Sequence, residues 1–192
     1  MGFIIKDKPK ELPPEGTHTA VLFSIVDFGT QKKVFKEDVK FQHSIRLDWE
    51  LSEEKMSDGR PFAIGRDYTA SLGKKAKLAE LIKAWTGAEP TNSFDISILL
   101  GRACNLTIMH SEDGYANITA VAPLKKSEKA PPPVNPLREF QIENYKAAVF
   151  EKLPDWMKEK IKASPEYLEL GKKPEPSNND APVDLPNDDV PF

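Results

Sequence analysis

The chain has 192 residues, 39% of them hydrophobic and 30% charged, which suits one compact domain with appendages and leaves little room for two full domains. Its net charge of -3 excludes a uniformly basic protein. Residues 174–192, however, hold five acids (Glu175, Asp180, Asp184, Asp188, Asp189) and no Lys or Arg; the 30 acids less these five leave 25 against 27 basic side chains, a slightly basic body with an acidic tail.

The one cysteine, Cys104, cannot form an internal disulfide and fits a reducing cytosol. Met1 to Asp7 is too short and too soon charged for a signal peptide, and no apolar run approaches a membrane span.

In chain order, the β-branched and apolar run Thr17 to Val26 reads as a first strand closed by a turn at Asp27-Phe28-Gly29-Thr30. Val39 to Leu51 alternates, with Val39, Phe41, His43, Ile45, Leu47, Trp49 and Leu51 on one face and Lys40, Gln42, Ser44, Arg46, Asp48 and Glu50 on the other, a long second strand with one apolar face. Ser57-Asp58-Gly59 then turns the chain into a third strand over Pro61 to Leu72. From Lys74 the period becomes helical, through Leu78, Leu81, Ile82 and Trp85, with Gly87 as the stop. Phe94 to Leu100, leading through Gly101 into Cys104 to Met109, and Tyr115 to Val121 read as strands four and five.

Three strands, a helix and two strands is the order of the OB-fold, a five-stranded barrel that binds oligonucleotides on its strand two and three face. The fold expected is therefore mainly β with α: an OB-fold over residues 1–124, a Pro-rich linker over 125–134, a helical extension over 135–171 and an acidic tail over 172–192. Within the extension, Asn135-Pro136 is expected to open a helix over Leu137 to Lys152. Pro154 and Pro165 restart short helices in the same way. Whether this segment packs on the barrel or pairs subunits is open, as is the oligomeric state. The tail, rich in Pro, Asn, Asp and Ser, lacks apolar periodicity and is expected to be disordered.

The last five residues, Asp188-Asp189-Val190-Pro191-Phe192, resemble the tip of bacterial single-stranded-DNA-binding proteins, acidic residues followed by Ile-Pro-Phe, with Val190 in the Ile place. The body is similar in general look to the small OB-fold replication proteins of tailed phages and prophages, across Leu99-Leu100-Gly101-Arg102-Ala103-Cys104, Tyr115-Ala116-Asn117-Ile118 and Ser164-Pro165-Glu166-Tyr167. Together these resemblances imply a non-catalytic single-stranded-DNA-binding protein of phage replication, recombination or repair, acting in the cytoplasm of a bacterial host. Its tip would recruit replication or repair proteins, Phe192 entering a partner's pocket while its carboxylate meets a cation.

Sequence-tolerant binding of single strands needs a cationic groove for phosphates and rings for bases. Outward residues of strand two (Lys40, Gln42, Arg46), the loop before it (Lys32, Lys33, Phe35, Lys36) and the region of strand three (Arg60, Arg66, Tyr68) are the residues expected to supply them. Trp49 and Trp85 lie on apolar faces and are expected in the core, and Lys74, Lys75 and Lys77, cations at a helix start, either serve phosphates or are simply exposed, with exposure the expectation. Asp48 and Glu50 alternate on a polar face and are expected to meet water.

His18, His43 and His110 stand apart without ligand spacing, so no metal or cofactor is expected. Gly73-Lys74 lacks the rest of a phosphate-binding loop. Cys104 alternates with Leu106 and Ile108 and reads as a buried small hydrophobe rather than a nucleophile. Two other classes compete: a metal-dependent nuclease or recombination enzyme using the same tip, and an OB-fold adaptor that binds protein alone.

Overall fold

The computed structural model describes residues 11–35 and 38–171. Its strands are β1 (Gly16–Phe35), β2 (Asp38–Lys55), β3 (Pro61–Thr69), β4 (Ala103–His110), β5 (Ala116–Pro123) and β6 (Arg138–Phe140); its helices are α1 (Lys77–Thr86), α2 (Ala147–Phe150), α3 (Asp155–Lys162) and α4 (Pro165–Leu170). Antiparallel pairing sets the order β3-β2-β1-β4-β5, and the short β6 joins β1 in parallel. The chain is thus mainly β with a few small helices. Among the described residues no helix is long and apolar enough to cross a membrane.

The sheet stays open, so the closed barrel expected from the element order does not form. β3 pairs with β2 and β5 with β4, but β3 and β5 share no ladder. Helix α1 stands at this seam, with Leu81 and Ala84 lining the gap, and the Arg66 guanidinium reaches across it to donate to the Ile118 carbonyl at 2.7 Å.

The alternation of β2 sets the main core. Ile45, Leu47, Trp49 and Leu51 are buried against Phe62 and Ile64 of β3, Leu106 and Ile108 of β4 and the apolar stripe Leu78, Leu81, Ile82 and Trp85 of α1. Gly87, at φ 76°, ends that helix and donates to the Lys83 carbonyl, a left-handed position that glycine takes without a Cβ penalty. Trp49 and Trp85 are core residues as expected, and Cys104 is fully buried, its thiol pushed up to about 12 by loss of solvent.

Three expectations fail for local reasons. Asp27-Phe28-Gly29-Thr30 is not a turn but a bulge inside β1: Asp27 Oδ1 accepts from the Gly29 N–H at 2.8 Å, Gly29 takes φ 66°, and pairing with β2 resumes beyond it. The segment Phe94 to Leu100 forms a 3-10 turn at Ile96–Leu99 rather than a strand. The helix expected from Leu137 is replaced by β6 and the single turn of α2, because Asn135 is used to hold a carboxylate of β2 instead of capping a helix.

Residues 138–170 pack on β1 and build a second core. Phe140, Ile142, Phe150, Leu153, Met157 and Ile161 are buried with Val26 and Phe28 of β1. At roughly 1.5–3 kcal/mol for each large side chain buried, this segment is held as firmly as a strand.

Its attachment is also polar. Ser164 caps α4 by accepting from the Tyr167 N–H at 3.2 Å, Pro165 occupies the first helical turn, and Tyr167 stacks on Phe150 with ring centroids 5.5 Å apart. Glu166 accepts from both the N–H and the hydroxyl of Thr30, so Ser164-Pro165-Glu166-Tyr167 is a docking element. Beside it, His43 Nε2 lies 2.7 Å from Asp27 Oδ1 and His43 Nδ1 3.6 Å from Glu166. The Asp27 hydrogen bond raises the His43 pKa above its usual value against the opposing effect of burial. Burial pushes the Asp27 carboxyl up, but the bonds from His43 and from the Gly29 and Ile142 N–H groups outweigh it and hold the group below its usual range.

Candidate nucleic-acid interface

The outer ends of β1 and β2 form a two-stranded arm beyond the neighbouring strands, since β4 pairs with β1 only over Gly16 to Val21, β6 only at Ser24 to Val26, and β3 meets β2 only from Ser44 onward. In this arm Lys33 stands directly opposite Lys40, Lys32 opposite Phe41, and Val34 opposite Val39. Like charges directly opposite in a ladder repel, so the Lys33–Lys40 pair costs stability unless an anion lies across it. Val34, Val39 and Phe41 are 63%, 50% and 68% exposed.

At the base of the arm Lys33 Nζ donates to Thr69 Oγ1 at 3.0 Å, and that hydroxyl donates to Gln42 Oε1 at 3.2 Å. These residues open a cleft of about 570 Å³ that also gathers Arg66, Lys74, Lys75 and Lys77. Among the described residues on its wall the one carboxylate, Asp67, is committed to Arg46 and Lys160; burial pushes it up, but those two cations hold it below the usual carboxylate range. The cleft also faces the N-terminus of α1, which Ala76 leaves without a side-chain cap, so unpaired N–H groups and the positive end of the helix dipole add to the lysines. Arg66, Tyr68 and Lys77 also line a second cleft of about 650 Å³ along the seam between β3 and β5, and the two run together.

Of the residues expected to bind, Lys33, Gln42 and Arg66 meet in this groove, Lys40 lies beside Lys33 on the same face of the arm, and Lys32, opposite Phe41, is on the other face. Three do not fit the expectation. Arg46 does not face solvent: its Nε lies 2.7 Å from Asp48 and its Nη1 2.8 Å from Asp67, with its guanidinium 4.9 Å from the centre of the Trp156 ring. Tyr68 is 4% exposed, a core ring beneath Arg66 whose hydroxyl burial pushes up to about 12, so it cannot stack on a base. Arg60 pairs with Asp58 in its own turn and lines neither cleft. Phe35 is fixed only as the backbone partner of Asp38 at the end of β1. Lys36 and the tip residues Asp188, Asp189, Val190, Pro191 and Phe192 lie outside the described residues.

Two features were missed from sequence. Lys74 and Lys75 are exposed as expected, but their place on the cleft wall follows from the Ser71–Gly73 bend and not from periodicity. Phe41 belongs to the inward face of β2 by alternation, but the arm outruns the core at that point and leaves the ring in solvent. The outer face of β2 is likewise not free: Ser44, Asp48 and Glu50 are buried under residues 134–160, Asp48 being pushed up by burial despite its Arg46 partner. Compared with known protein families, curated proteins and solved structures, the chain matches none.

Proposed function

We propose that this chain is a non-catalytic single-stranded-DNA-binding protein, built on an OB-type sheet that is open along its third and fifth strands, and that the groove of Lys33, Gln42, Arg66, Lys74 and Lys75 is where the strand lies. The observation that carries the reading is the Lys33–Lys40 pair standing at the mouth of a cleft whose wall carboxylate, Asp67, is already neutralised. Such a site attracts a polyanion, and on the reverse face of the arm exposed Phe41, opposite Lys32, offers a further ring for a base. The acidic tip Asp188 to Phe192, through its resemblance, extends the reading to recruitment of replication, recombination or repair partners in a phage setting.

The test is titration of labelled oligo-dT by anisotropy across a salt series. Affinity should fall with salt with a slope of about -0.7 per phosphate contacted. A Lys33→Glu/Lys40→Glu double variant should weaken binding at low salt and flatten the slope by roughly 1 to 1.5, two contacts' worth. Binding that ignores salt, or a double variant that binds like the parent, refutes the assignment; divalent-metal-dependent cleavage of the oligonucleotide would favour the nuclease class instead.

A further inference from the structure

We infer that Trp156, on the C-terminal extension, is a base-stacking platform at the inner end of this same groove, so that the strand is gripped by the extension as well as by the sheet. The inference rests on the single-strand-binding reading above.

Tryptophan is highly buried on average, yet Trp156 is 46% exposed while Trp49 and Trp85 are 0% and 5% exposed. Its exposure is not looseness. The Arg46 guanidinium covers one face of the ring at 4.9 Å from its centre, and Phe28 meets the ring at a 69° angle with centroids 6.0 Å apart. Arg46 is itself held by Asp48 and Asp67, and Lys160, one turn after Trp156 on the same short helix, also pairs with Asp67 while lying 4.7 Å from the Phe28 ring. A rigid aromatic plane backed by a cation and nearly half exposed is a geometry that base stacking can use, and it loses little conformational freedom when a base arrives.

Position supports the role. Along β2 the polar face runs Lys40, Gln42, Ser44, Arg46, and on β3 Thr69 lies opposite Ser44 and Asp67 opposite Arg46. Trp156 therefore stands over the same face that carries Lys33, Gln42 and Thr69. Four residues along a strand, from Gln42 to Arg46, cover about 13 Å, within the several nucleotides that one such fold engages. Asp67, which lines the cleft and binds both Arg46 and Lys160, joins the two ends. The sheet's own ring at this place, Tyr68, is buried, and the extension brings a replacement.

Because Trp49 and Trp85 are buried, a bound base can contact Trp156 and not those two rings, so contact quenching of the tryptophan emission reports Trp156. Full-length protein is titrated with fluorescein-labelled oligo-dT, following anisotropy of the label and, with unlabelled oligo-dT, tryptophan emission. Stacking predicts quenching that saturates with the anisotropy. Trp156→Leu, which keeps an apolar contact with Phe28, should lose the quench and raise Kd about five-fold or more with the salt slope unchanged, since no phosphate contact is removed. Trp156→Phe should recover most of the affinity, and both variants are checked for wild-type far-UV circular dichroism. Quenching retained in Trp156→Leu, or a Kd within two-fold of the parent, overturns the inference while leaving the groove assignment standing. Absence of any anisotropy change in the parent overturns both.

Discussion

Glu50 offers a direct measure of how strongly the extension is tied to the sheet. Its carboxylate is 3% exposed and accepts three hydrogen bonds, from the Val134 N–H at 2.7 Å, the Asn135 N–H at 2.7 Å and Asn135 Nδ2 at 2.6 Å. Glu50→Gln keeps the shape but puts an NH₂ group among three donors, so at least one charge-assisted bond is lost, worth roughly 1.5–3 kcal/mol. Val134 is 77% exposed, which lets water rehydrate its N–H and trims the loss to about 2 kcal/mol, toward the lower half of that range. With a urea dependence of about 2 kcal/mol per molar, the unfolding midpoint should fall by roughly 1 M. Hydrogen exchange should accelerate first at the amides of Arg138 to Phe140, the strand immediately after the anchor. A midpoint shift below about 0.2 M, with exchange at β6 unchanged, would show that the apolar second core alone holds the extension and that the reasoning is wrong.

Two further outcomes follow from the same region. A Cβ on Gly65 would lie 1.9 Å from Asp48 Oδ1 and 2.3 Å from Arg46 Nη2, so Gly65→Ala must displace the paired side chains beneath Trp156; an overpacking cost of about 1–3 kcal/mol should lower the melting temperature by at least about 3 °C, and an unchanged melt refutes the packing argument. The His43–Asp27 contact should give a pH-dependent stability. A histidine whose folded pKa is raised contributes fully below about pH 6.5 and loses that contribution as pH rises through the raised value, whereas an aspartate held low contributes above about pH 4 and loses it as pH falls further. The contact is therefore strongest between those limits, and thermal melts should decline on passing from pH 6 to 8. His43→Gln should flatten that limb; an identical decline in the variant would place its cause elsewhere.

The inner face of β2 was readable because Ile45, Leu47, Trp49 and Leu51 alternate without interruption, and α1 because its apolar spacing ends in a glycine that can turn left-handed. The outer face of β2 was misread for a physical reason: Ser44, Arg46, Asp48 and Glu50 are polar because their partners are the backbone of residues 134 and 135 and the charged groups of β3 and α3, and alternation cannot tell such partners from water. The Asp27–Thr30 stretch carries turn chemistry whether it reverses the chain or only inserts a bulge, and only the long-range pairing with β2 decides. Arg46 and Tyr68 were chosen for residue type and strand, but Arg46 is covered by Trp156 of the extension, information that is not local, whereas Tyr68 lies opposite the inward-facing Ile45 and joins the main core, a facing that β3 alone does not reveal. Lys33, Gln42 and Arg66 line the cleft; among the described residues the extension reaches along this face as far as Gln31, which donates to the Lys160 carbonyl.

The bulge between Leu22 and Ser24 has a mechanical consequence. Ahead of it Ala20 and Leu22 point into the main core, as Ile25 does after it, while Val26 and Phe28 point into the second; one strand is thus a party wall with a tenant on each side. Neither side can be vacated without stripping the wall, so heat or denaturant should bring down sheet and extension in one cooperative step, and a segment that looks like an accessory in the sequence shares the fate of the whole.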